Sequence, residues 1–122
     1  MGALASMGAT PRSATGWGKT MIVVQGWVHV HEGDREKLRE AARVLVEETR
    51  KERGNLAYAF AEDFNDPGLF HIVERWADEE AVAAHMLSPA IAAFLPQLSA
   101  LREVRLRIAR YDTPEERVLM EL

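Results

Sequence analysis

The sequence predicts an α+β fold: a four-stranded antiparallel sheet with helices on one face, in the βαββαβ order of a ferredoxin-like sandwich. Three observations lead there. Residues 21–31, 55–63, 69–76 and 104–109 alternate side chains with the two-residue period of strands. Helical-period segments separate the first run from the second and the third from the fourth. A turn sequence, Asn65-Asp66-Pro67-Gly68, joins the middle two runs as a hairpin. Strands that pair antiparallel with every helix on one side give this two-layer arrangement.

At 122 residues the chain has the length of one domain, and 48% hydrophobic with 28% charged residues suits a globular one. A formal charge of −4 without a dense basic stripe argues against nucleic-acid binding. There is no cysteine, so disulfides, thiol nucleophiles and thiolate metal sites are excluded, as suits a cytoplasmic protein. No apolar run approaches the roughly 18 residues of a membrane span.

Residues 1–19 are rich in Gly, Ala, Ser and Thr, lack periodicity and lack an apolar signal-peptide core. They read as a flexible leader, consistent with a vector-derived extension, in which Trp17 carries no function of its own. The domain is expected over residues 20–112. In the first strand Ile22, Val24, Gly26, Val28 and Val30 share one face, and Val23, Gln25, Trp27 and His29 the other. His29 and His31 are spaced to reach one metal, but no third ligand is in sight, so they read as surface or interface histidines.

Asp34 is placed to cap a helix over 37–53, whose buried period runs through Leu38, Ala41, Ala42, Leu45, Thr49 and Glu52 and which ends at Gly54. In the second strand Leu56, Tyr58, Phe60 and Glu62 face one way and Ala57, Ala59 and Ala61 the other. After the third strand, Asp78-Glu79-Glu80 opens a short helix with acids at its positive end, and Ser88-Pro89 opens another. The helices are expected over the face carrying Ile22, Phe60, Ile72 and Leu106. The other face, with Val23, Trp27, the three alanines and Val73, is too apolar for water, so a homodimer through the open sheet faces is expected. Residues 113–122 form a tail whose Val118, Leu119, Met120 and Leu122 call for burial against a partner subunit.

The third strand holds the anomaly. Phe70, Ile72, Glu74 and Trp76 share the core face, and an ionised glutamate is rarely buried there without a partner. His85, on the short helix above, is the natural cover. Set against this pairing is the alternative that both residues only bridge sheet to helix.

Glu52-x-Gly54-Asn55-Leu56-x-Tyr58, Phe70-x-x-x-Glu74-x-Trp76 and His85-x-x-Ser88-Pro89-x-x-x-x-Phe94 stand in an order and spacing that resemble the antibiotic biosynthesis monooxygenase family. This is the quinol monooxygenase-like family of dimeric α+β barrels, and the resemblance covers about residues 20–112. It implies oxygenation of a small aromatic substrate, a quinol or polyphenol, by O2 with no metal, flavin or haem cofactor. A deprotonated, electron-rich phenolate can itself reduce dioxygen. The protein then supplies a dry pocket, a base and orientation. On this reading His85 is the general base and Glu74 orients it. Asn55 and Tyr58 hydrogen-bond the substrate, and Phe60, Phe70, Trp76, Met86 and Phe94 form an apolar wall. The chain departs from many relatives in having Asn55 where they carry Cys. It also has Gly26 and Leu95 near the positions where the haem-degrading branch uses Asn and His, which argues against haem degradation.

Two other classes stand beside this one. A non-oxidative, isomerase-like enzyme acting on a small phosphorylated sugar would need cations in the pocket, but Arg75, Arg105 and Arg107 alternate onto the other face. A ligand-binding dimer without catalysis would use the same aromatic pocket and leave its ligand unchanged.

Overall fold

The computed structural model describes residues 21–113 and 115–122. The predicted leader and Trp17 lie outside the described residues. The chain runs β1 (Met21–His29), a 3-10 turn (Glu32–Asp34), α1 (Arg35–Thr49), β2 (Asn55–Glu62), β3 (Leu69–Trp76), α2 (Glu79–Met86), α3 (Pro89–Ser99) and β4 (Arg105–Thr113). The strands form one antiparallel sheet in the order β2-β3-β1-β4. This is the ferredoxin-like arrangement predicted from the sequence.

The register aligns Ile22 with Trp76, Val24 with Glu74 and Gly26 with Ile72 across β1 and β3. Those residues share the helix-covered face with Tyr58 and Phe60 of β2 and with Leu106 and Ile108 of β4. Beneath the helices the core closes on Ile22, Val28, Leu38, Leu45, Ile72 and Trp76, all 2% exposed or less. Burying each such side chain contributes roughly 1.5–3 kcal/mol. Over β4 the cover is incomplete: Leu106 and Ile108 remain 47% and 46% exposed.

Local chemistry corrects several boundaries. α1 ends at Thr49 rather than at residue 53, and Arg50 to Asn55 descend through successive tight turns. Gly54 has φ +81°, and a β-carbon there would lie 2.6 Å from the Ala81 methyl, so its lack of a side chain serves both the turn and the approach of α2. A bulge between Asn55 and Ala57 extrudes Leu56, which is 57% exposed instead of sharing the core face with Tyr58. Asp34 stands at the N-cap of α1 but its side chain does not cap. It accepts from the Arg102 backbone N–H at 2.9 Å and from its guanidinium at 3.0 and 3.1 Å. α2 and α3 do have side-chain caps: Asp78 accepts from Ala81 N–H and Ser88 from Ile91 N–H. β4 extends to Thr113, beyond both the predicted strand and the predicted domain limit.

Gly26 decides the shape of the sheet at its β4 edge. A β-carbon on it would lie 1.9 Å from the Arg107 carbonyl oxygen. β4 therefore crosses Gly26 at a distance only glycine permits, and this close crossing is where Leu106 and Ile108 enter the helix-side cavity. Among the described residues no single helix is long and apolar enough to cross a membrane; α2 and α3 pass that test only together and are bent by 52°.

Candidate functional site

Between the sheet and the α2–α3 layer lies a cavity of about 300 Å³. Its floor is Val24 and Val28 of β1, Tyr58 and Phe60 of β2, and Ile72 and Glu74 of β3. Its roof is His85 and Met86 of α2 with Phe94 and Leu98 of α3, and Leu106 and Ile108 form the β4 wall. Met86, Leu95, Leu106 and Ile108, each about half exposed, mark where it meets solvent. Among the described residues, Tyr58, Glu74 and His85 are the only polar side chains in the lining, and no Arg or Lys reaches it.

His85 sits in the last turn of α2, where a cation is favoured by the helix dipole. It is 3% exposed. Its Nδ1 lies 2.9 Å from Oε1 of Glu52, in the turns after α1. Its ring packs on Trp76 and edge-on to Tyr58, with centroids 4.8 and 5.3 Å away. No hydrogen-bond partner of Nε2 is found among the described residues.

Glu74 has a different partner from the one expected. Trp76 Nε1–H, two residues along the same strand face, donates to Glu74 Oε1 at 2.8 Å. Burial pushes the Glu74 carboxyl above the ordinary glutamate range; the Trp76 hydrogen bond and attraction to His85 offset this in part, and Glu52 adds to it. Tyr58 faces the same pair. Burial first, and then the negative charges of Glu74 and Glu52, raise its phenol so far that it stays neutral. The site therefore has a neutral hydroxyl, a carboxyl whose ionisation burial disfavours, and an imidazole tied on one side.

Six of the nine residues picked from sequence meet at this cavity: Tyr58, Phe60, Glu74, His85, Met86 and Phe94. Three do not line it. Asn55 donates through Nδ2 to the carbonyls of Ala57 (3.1 Å) and Arg75 (3.5 Å), holding the β2 bulge to β3. Phe70 lies at 2% exposure against a separate groove beside α1, with Ala42, Val46 and Arg50. Trp76 is fully buried behind the wall and meets the site through its hydrogen bond to Glu74 and ring contacts with His85 and Tyr58. The expected hydrogen bond between Glu74 and His85 is absent, each being bound to another side chain. Glu52 was missed as a site residue because helical periodicity, carried past Thr49, made it one more position of α1. Its place two residues before Gly54 in the first family motif was the available signal.

The sequence profile described as "Antibiotic biosynthesis monooxygenase" matches residues 21–97. The chain is 30% identical to the Bacillus subtilis (strain 168) protein "Putative monooxygenase YcnE" over 95 residues, which span 78% of this chain and all of that one. Among solved structures it is similar to a "putative antibiotic biosynthesis monooxygenase" from Deinococcus radiodurans. That match has 28% identity and a TM-score of 0.77, over 82% of this chain and 99% of the other. It is also similar to a Bacteroides thetaiotaomicron protein described as a "possible oxidoreductase", with 30% identity and a TM-score of 0.71 over 77% and 98% of the two chains.

Proposed function

Taking as premise that the chain belongs to the antibiotic biosynthesis monooxygenase family, we propose that it oxygenates a quinol or polyphenolic substrate with O2 and without a cofactor. One observation carries this reading: an imidazole, anchored at one nitrogen, lines a largely apolar cavity and, among the described residues, its second nitrogen has no hydrogen-bond partner. His85 takes a proton from the bound phenol. The resulting anion, whose charge spreads onto ring carbon, gives one electron to O2, and the radical pair collapses to a carbon-bound peroxide. In a hydroxylated anthrone the proton removed is that of the enol tautomer, so the charge reaches the ring carbon that is CH2 in the keto form. That carbon keeps one hydrogen, its peroxide takes the proton back from His85, and loss of water leaves a carbonyl. One oxygen atom enters the product, the other leaves as water, and the substrate supplies all four electrons.

The other side chains have supporting roles. Glu74, held by Trp76, and the neutral Tyr58 hydroxyl orient the substrate's oxygens, while Phe60, Met86 and Phe94 hold the ring. An apolar enclosure favours electron transfer to a neutral, nonpolar oxidant and keeps water from the peroxide. Among the described residues no cation lines the cavity, which counts against a phosphorylated-sugar isomerase. The assembly in this reading is a homodimer joined through the open sheet faces.

The test is oxygen consumption by chelator-treated protein over a panel of hydroquinones and hydroxylated anthrones. Uptake above autoxidation that His85→Ala lowers by about 10²–10⁴-fold is expected, the usual contribution of a general base. Uptake unchanged in that variant would remove His85 from the chemistry, and saturable binding without uptake would leave a ligand-binding protein.

A further inference from the structure

We infer that Glu52 is the positioning residue of this site, fixing His85 in the tautomer whose bare nitrogen faces the cavity. The inference rests on the proposed reading for its catalytic meaning, but its structural part stands alone. Each neutral imidazole carries one proton, and which nitrogen holds it is set by what the other environment accepts. A carboxylate only accepts. Glu52 Oε1, 2.9 Å from Nδ1, therefore requires the proton on Nδ1, which leaves Nε2 as a lone-pair acceptor.

The surroundings agree. Trp76 spends its Nε1–H on Glu74, so it offers His85 no competing donor. Among the described residues Glu74 and Tyr58 are the other polar groups lining the cavity, and neither hydrogen-bonds the His85 ring. Glu52 itself approaches from outside the cavity lining, on the turns that Gly54 allows to pack beneath α2. When Nε2 accepts the substrate proton, the imidazolium donates from both nitrogens, and the Glu52 carboxylate faces the new positive charge without moving. Glu52 never touches the substrate.

The test is nitrogen NMR of His85 in labelled protein at a pH where the ring is neutral, alongside oxygen uptake. The wild-type ring is expected to carry its proton on Nδ1. In Glu52→Ala the proton is expected to move to Nε2, with kcat falling roughly 100-fold and KM little changed. Glu52→Gln, whose amide oxygen can accept the same hydrogen bond, is expected to keep the Nδ1–H form and recover much of the rate. It also covers the case in which the alanine variant does not fold. A wild-type ring protonated on Nε2, or one indifferent to both substitutions, would overturn the assignment. Should the tautomer respond as expected while no substrate consumes oxygen, the assignment stands and the oxygenase reading falls.

Discussion

Glu74 is buried beside three ionisable or polar neighbours, and its carboxyl holds a proton more tightly folded than unfolded. The folded state therefore binds more protons than the unfolded state between the ordinary glutamate value and the raised one. In that window stability must fall as pH rises. Glu74→Gln keeps an acceptor for Trp76 Nε1–H but cannot ionise. It is expected to melt higher than the parent above neutrality, with the gain shrinking toward pH 4; equal melting curves at all pH values would show that Glu74 is not stressed by burial. At this scale the sequence was informative about which residues matter and less so about how they pair. A carboxylate on a core face at Glu74 and a histidine above it are visible in the alternation. That His85 pairs with Glu52 depends on where α1 ends, which Gly54 and the Ala81 contact decide through tertiary packing.

Strands and helices were legible because one buried face imposes its period on each. What broke the period was local. The bulge at Leu56 shifts β2 by one residue, which keeps Tyr58 and Phe60 on the core face but puts Leu56 outside. Gly26 was readable as a glycine in a strand but not as the point where β4 crosses β1. Gly26→Ala would set its methyl against the Arg107 carbonyl, with no flexible side chain to yield. It is expected to destabilise by about 1–3 kcal/mol and to displace the Leu106–Ile108 wall, weakening ligand binding in the cavity. Unchanged denaturant midpoint and binding would contradict that role. Asp34 ties the start of α1 to the segment before β4, and the Arg102 hydrogen bonds hold its carboxyl far below the ordinary aspartate range. Its contribution is present above the unfolded-state value, near 3.8, and is lost as pH falls below it toward the folded one. Asp34→Asn should lower the melting temperature at pH 7 and have a smaller effect in acid.

At the scale of the whole molecule, the described helices cover one sheet face and leave the other. Val73 and Tyr111 are 46% and 51% exposed there, beside Ala57, Ala59 and Ala61 on the same face. Arg75 pairs with Glu116 at 2.7 Å and draws the tail to this face, while Val118, Leu119, Met120 and Leu122 remain exposed. A two-fold interface repeats any substitution, so Val73→Arg would place a charge on both sides of the proposed dimer. The parent is expected to elute as a dimer in light-scattering chromatography and the variant as a folded monomer. A monomeric parent would remove the sheet face from the account.

All of this converges on whether the cavity at His85 performs a cofactor-free oxygenation. The most direct measurement is a reaction of chelator-treated protein under isotopically labelled dioxygen, with product and water analysed by mass spectrometry and His85→Ala run in parallel. The expected result is one labelled atom in the product and one in water, with yield lost in the variant. Product whose new oxygen comes from solvent, or label incorporated equally by the variant, would contradict the central claim.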